Sequence, residues 1–146
     1  MTKTAIFAAG CFWGIEEKFL STDGVVETEV GYIGGKTSDP TYQDVCEGNT
    51  NHAEAVRVHY NEEKITYDSL LDIFFDIHDP TQLNRQGPDF GTQYRSSIFV
   101  LDEFQKMSAQ NKINILNQHK YNGCIVTAIE EAKEFWLAEE YHQKYI

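Results

Sequence analysis

The chain has 146 residues, 41% of them apolar, which suits one globular domain able to bury a core without disulfides or a structural metal. Twenty-three acidic residues against 12 basic ones leave a formal charge of −11, a field that repels nucleic-acid phosphates and anionic membrane surfaces, so neither is expected as a partner. No targeting segment or membrane-spanning run is visible, and Cys11, Cys46 and Cys124 are scattered without CxxC spacing. The expectations are a reducing cytoplasm, no disulfide framework and no metal site.

In chain order, residues 4–9 read as a strand ending in Ala8-Ala9-Gly10. Phe12, Ile15, Phe19 and Leu20 fall at helical spacing over residues 12–20. Gly24 breaks that helix, and residues 25–33 predict a strand stopped by Gly34-Gly35. Val56, Val58 and Tyr60 alternate with Arg57 and His59 as in a half-buried strand. Thr66 is placed to cap a helix over residues 67–78 that buries Leu70, Leu71, Phe74 and Ile77. The polar stretch 79–93, punctuated by Pro80, Gly87, Pro88 and Gly91, reads as a long functional loop. A strand at 96–101, a helix opened by Asp102 and Gln105 and reaching about residue 119, a strand at 124–129 and a closing helix at 132–145 complete the chain. Mixed helices and strands, some strands adjacent in sequence, favour an α+β fold with helices against a largely antiparallel sheet.

Cys11 holds the most informative position, after a strand, between Gly10 and Gly14, at a helix start. Backbone N–H groups there lack intrahelical partners, and the helix dipole favours an anion, so the thiol is expected to ionise more readily than usual. A small buried structural thiol is the other reading that position alone allows. Phe12 and Trp13 are neighbours and cannot share one helix face, so one of them is expected to look outward.

Gly10-Cys11-Phe12-Trp13-Gly14 resembles the active-site signature of the peptide methionine sulfoxide reductase A family. The resemblance continues through Gly31-Tyr32-Ile33-Gly34-Gly35, Pro40-Thr41-Tyr42, Val45-Cys46, His52-Ala53-Glu54, His78-Asp79-Pro80-Thr81-Gln82, Asn84-Arg85-Gln86-Gly87 and Gly91-Thr92-Gln93-Tyr94-Arg95-Ser96, in family order. It implies one α+β catalytic domain, a two-layer sandwich with a ferredoxin-like core. It also implies Cys11 as nucleophile, Glu54 as proton donor, Tyr42 and Tyr94 on the sulfoxide oxygen, Phe12 and Trp13 as walls for the substrate methyl, and Asp89 as a substrate-fixing group. The implied reaction is reduction of methionine S-sulfoxide, free or in proteins, as repair of oxidative damage. It leaves a sulfenic acid on Cys11. The resemblance implies no cofactor, but an external thiol reductant: glutathione with glutaredoxin, or thioredoxin.

The residue types suit that chemistry. A sulfoxide is a polar S–O group on an apolar side chain, so its site needs greasy walls and hydrogen-bond donors. Oxygen gains negative charge under thiolate attack, so a neutral acid serves better than a carboxylate, and burial keeps a carboxyl neutral. Glu54 is therefore expected to be protonated. Phe90 and Pro88 stand where the family commonly has His and Asn around the aspartate. Many members carry a resolving cysteine in a tail after the last helix; the expectation here is a single-cysteine type, with a removed tail as the alternative, and Cys46 and Cys124, which could act as resolving residues, read more strongly as buried structural thiols. His52 and Arg95 read as local hydrogen-bonders, and His59, His119 and His142 as surface or packing residues. Two rival classes stay open: a Cys–His acyl-transfer hydrolase, and a module that binds oxidised methionine without turning it over.

Overall fold

The computed structural model describes residues 2–145. In chain order the elements are β1 (Thr2–Ala9), α1 (Phe12–Leu20), β2 (Val25–Ile33), the short α2 (Tyr42–Cys46), β3 (Ala53–Asn61), α3 (Tyr67–Asp76), β4 (Arg85–Gln86), β5 (Asp89–Phe90), β6 (Ser96–Val100), α4 (Glu103–Leu116), β7 (Ala128–Glu131) and β8 (Trp136–Leu137). The main sheet runs β7-β6-β1-β3-β2-β8. Its four central strands, β6-β1-β3-β2, are all antiparallel, with α1 crossing from β1 to β2 and α3 between β3 and β6. That is the ferredoxin-like split βαβ arrangement the resemblance implied. The largely antiparallel sheet has one parallel edge, β7 beside β6.

Period-2 alternation sorts the strands into two faces. Ala5, Phe7, Val56, Val58, Ile98 and Val100 join Phe12, Phe19, Leu70, Leu71 and Phe74 in the main core beneath the helices. Ile6, Ala8, Ile33, Ala53, Ala55 and Phe99 form a smaller core on the opposite face, covered by Ala132 and Phe135 of the C-terminal segment. The helix starts follow side-chain chemistry. Thr66 accepts from Ser69 N at 3.1 Å, and Asp102 from Gln105 N at 2.8 Å. Gln105 does not close the reciprocal box; its amide donates to Thr4 O at 2.8 Å and ties α4 to β1.

Several boundaries differ from the sequence reading. The closing helix over 132–145 is absent: Trp136 and Leu137 pair with the free edge of β2, and a single 3-10 turn (Glu140–His142) follows. An unpaired strand edge offered backbone partners, and Gly31 admits the Trp136 backbone where a side chain would collide with it. Tertiary pairing thereby overrode helical composition. The strand expected at 124–129 starts only at Ala128, because Ile125 N is held by Asn117 Oδ1 and Val126 N by Pro80 O instead of by a ladder. The helix expected to reach residue 119 continues as a π-helical turn (Asn117–Tyr121) ended by left-handed Asn122. The 79–93 loop carries a two-residue hairpin, Arg85 opposite Phe90 and Gln86 opposite Asp89.

Candidate active site

Cys11 is the N-cap of α1 and half-buried. Gly10 makes the turn possible: its φ is +100°, and a Cβ there would press against the Gln86 side chain. The same turn aims the first N–H groups of α1 back at the preceding residues. The N–H groups of Trp13 and Gly14 act on the Cys11 sulfur, while Phe12 N donates to Glu54 Oε1 at 3.2 Å.

Glu54 reaches this point through strand register. Ala53 and Ala55 lie on the back face of β3, so Glu54 shares the core face with Val56 and Val58 and lies opposite Tyr32 of β2. A carboxyl is thereby 1% exposed among aromatic rings, and its second oxygen has no hydrogen-bond partner. Burial, with a smaller push from Asp89, raises its pKa to about 8 against the pull of the Phe12 N–H. A carboxyl held there stays protonated at neutral pH.

The sulfur departs from expectation. Burial raises the Cys11 pKa above the ordinary thiol value, and the negative charges of Glu54 and Asp89 add to it. The N–H groups of Trp13 and Gly14 pull the other way and do not win. A nine-residue helix supplies a modest dipole, whereas desolvation and two nearby carboxyls act directly on the sulfur. The resting sulfur is a thiol, not the anion its helix position suggested.

The remaining groups come from four other segments. Tyr42 opens α2, which begins with a capping box between Thr41 and Asp44. Tyr94 ends a 3-10 turn (Thr92–Tyr94), and Asp89 comes from the hairpin before it. The Tyr42 and Tyr94 phenols are both raised, first by burial and also by the charge of Glu54. Asp89 acts on Cys11, Glu54 and Tyr94 alike, so the structure brings the sequence-predicted set together around one point. Phe12 is fully buried and Trp13 half-buried, the division expected of adjacent helix residues.

Sequence reasoning missed the contribution of the C-terminal segment. His142 Nδ1 accepts from Trp13 Nε1 at 3.0 Å, and Tyr145 stacks on the Trp13 ring at 4.0 Å between centroids. Glu139 accepts from the Tyr32 hydroxyl and from Tyr42 N, each at 2.9 Å. His142 is a packing residue, as read, but its packing sets the aromatic wall; burial lowers its pKa and keeps Nδ1 free to accept, with Glu139 opposing. Only the tertiary return of the chain onto α1 reveals this.

Other residues read from the sequence are placed as follows. His52 is buried between Gly35 N and Thr37 O, and Arg95 binds Glu130, Thr92 O and Asn51 O, so both are local hydrogen-bonders. His59 joins Glu29 at 2.7 Å, and His119 is exposed. Phe90 is exposed and packs its ring on Arg85. Cys46 and Cys124 are exposed, not buried. In α2 only Val45 is buried, with Tyr42 packed against the core, and Cys124 follows the surface turn at Asn122-Gly123. Among the described residues, no group of three or more His, Cys, Asp or Glu side chains is placed to hold a metal. Nor, among the described residues, is any helix long and apolar enough to cross a membrane.

A protein from Methanoculleus marisnigri named "Peptide methionine sulfoxide reductase MsrA" is 55% identical over 142 residues, 97% of this chain and 87% of its own. The reduced form of Saccharomyces cerevisiae Mxr1 superposes with a TM-score of 0.94 at 41% identity, covering 99% of this chain and 83% of Mxr1. Mxr1 in complex with Trx2 matches with a TM-score of 0.71 at 28% identity, covering 99% and 85%. The family model described as "Peptide methionine sulfoxide reductase" matches residues 3–146, and the chain belongs to that family.

Proposed function

We propose that this protein reduces methionine S-sulfoxide, free or within proteins, through attack of the Cys11 sulfur on the sulfoxide sulfur with Glu54 as proton donor. The observation that carries this reading is the buried Glu54 carboxyl, protonated at neutral pH, with one oxygen unpartnered beside the sulfur at the start of α1. Phe12 and Trp13 receive the methyl group, Tyr42 and Tyr94 donate to the oxygen, and Asp89 holds the substrate from the hairpin side. As sulfur attacks sulfur, the oxygen takes the Glu54 proton and passes to Cys11, and the thiol proton restores Glu54. Methionine leaves, reduced by two electrons, and Cys11 is left as a sulfenic acid.

The groups acting on Cys11 are carboxyls and backbone N–H groups, which favours this chemistry over a Cys–His hydrolase. An external thiol completes the cycle. Thioredoxin is supported by the yeast neighbour captured with Trx2; glutathione with glutaredoxin is the second candidate, and the cytoplasm the compartment that supplies either. The test is incubation with each sulfoxide epimer and dithiothreitol. The S epimer alone yields methionine, and Cys11→Ser abolishes it. Product from the Cys11→Ser variant, or binding without product in the unaltered protein, overturns the reading.

A further inference from the structure

Glu139 is half-buried just after β8, and the reduction step gives it no part. Its carboxylate nevertheless accepts from two separate elements, β2 and α2: Oε1 from the Tyr32 hydroxyl and Oε2 from Tyr42 N, each at 2.9 Å. Its main-chain oxygen accepts from His142 N, also at 2.9 Å. One residue thus holds the backbone of Tyr42, the backbone of His142 and the ring of Tyr32. All three rings pack around Phe12, with centroids at 6.4 Å for Tyr42, 5.4 Å for His142 and 5.8 Å for Tyr32. Tyr42 and His142 also face the Trp13 ring, at 6.4 and 5.6 Å. Tyr32 stands opposite Glu54 in the β2–β3 register, so the same joint reaches the ring beside the acid. The helix that carries Tyr42 cannot fix it unaided. It has five residues with Val45 as its buried one, and its capping box joins Thr41 only to Asp44, three residues on. The Tyr42 N–H lies in the first turn, where the helix itself has no carbonyl to accept it.

From this arrangement we infer that Glu139 is a positioning residue that sets the distance of Tyr42 from the Phe12–Trp13 wall, and thereby the size of the group accepted on the sulfoxide sulfur. The inference rests on the reductase reading above. A methyl group is the smallest substituent such a wall can receive. An ethyl group adds one methylene, which an apolar pocket of fixed width rejects by about tenfold or more. A carboxylate suits the joint because each of its oxygens accepts one of the two donors. Glu139→Ala removes both acceptors, and α2 is then free to move away from the wall. Glu139→Gln keeps an oxygen for Tyr42 N and offers its amide to the Tyr32 oxygen, whose proton can turn aside, so both links survive.

Steady-state rates with the S-sulfoxides of methionine and of ethionine, with dithiothreitol as reductant, test the inference. The ratio of their kcat/KM values within one sample does not depend on how much of the protein is folded. The unaltered protein is expected to favour the methyl substrate by about tenfold or more. Glu139→Ala is expected to raise KM for methionine S-sulfoxide about five-fold with little change in kcat, and to move the ratio toward one. Glu139→Gln keeps KM and the ratio near their unaltered values. Tyr32→Phe, which deletes one donor and retains the ring, moves the ratio part of the way and decides the matter where Glu139→Ala does not fold. An unmoved ratio in Glu139→Ala, or in Tyr32→Phe when it stands in, overturns the inference. So does an unaltered protein that takes both substrates equally, or a Glu139→Gln variant that behaves as Glu139→Ala, since charge and not the two hydrogen bonds would then be the cause. Absence of methionine from the unaltered protein overturns the reductase reading and this inference with it.

Discussion

Two glutamates, Glu16 of α1 and Glu54 of β3, are each 1% exposed, yet their surroundings have opposite designs. Glu16 receives the Thr28 hydroxyl at 2.8 Å and Lys144 N at 2.6 Å, with the Lys144 ammonium 4.0 Å away. Glu54 receives one backbone N–H and leaves its other oxygen bare. Burial alone therefore says little about a carboxyl. A buried polar group whose partners are complete ties segments together, and one whose partners are missing is held ready for a group that arrives later. Here the complete one pins the C-terminal segment to α1 and β2, and the incomplete one lies against the start of α1.

The sharpest test of that contrast is Glu54→Gln. Loss of a general acid slows the reduction step by ~10²–10⁴-fold. The unaltered protein should show a reduction rate that rises with pH toward about 8, the Glu54 value, and falls again as the thiol ionises. These limbs belong to the coupled pair, because deprotonating either group works against the other. In Glu54→Gln the Cys11 thiol, relieved of a neighbouring negative charge, alkylates with iodoacetamide at lower pH than in the unaltered protein. An unshifted alkylation profile breaks the electrostatic link.

Stability gives the next comparison, with opposite signs at the two sites. Glu54 has a folded pKa raised above its unfolded value near 4.5, so its contribution is fully present below that value and is lost as pH rises to about 8. Linkage over this window makes the loss a few kcal/mol, order ~3–5, measurable as a falling denaturant midpoint that Glu54→Gln does not show. Glu16→Ala, by contrast, strips two donors of their acceptor and should destabilise by roughly 2–3 kcal/mol in thermal or urea melts at neutral pH. Equal behaviour of the two variants would erase the distinction drawn between them.

The smallest effect is expected at the aromatic wall. His142→Phe keeps the packing and deletes the acceptor for Trp13 Nε1, a loss of ~1 kcal/mol that should raise KM about five-fold with little change in kcat. Gln at position 142 offers a replacement acceptor and should recover part of the affinity. A fall in kcat without a change in KM would place His142 outside substrate positioning.

Local chemistry made much of this legible before any coordinates. The glycine-flanked Cys11 after an apolar strand is written in composition and spacing, and the caps at Thr66 and Asp102 act within three residues. The family motifs carried Glu54, Tyr42, Tyr94 and Asp89, none of which periodicity alone would separate from ordinary surface or core residues. The closing segment was misread because helix-forming composition competes there with an open strand edge, and only the partner's position settles such a contest.

By itself, then, the sequence determined an α+β fold, the order of its central elements and the family motifs that point to Cys11 and Glu54. These depend on neighbours along the chain or on short motifs whose residues lie together in sequence. Tertiary structure decided that Glu54 lies protonated against the start of α1, that the Cys11 sulfur rests as a thiol, that Cys46 and Cys124 stand exposed and that residues 139–145 pack on the Trp13 ring. Each of those follows from desolvation and from contacts between segments far apart in the chain, and both are properties of the folded packing.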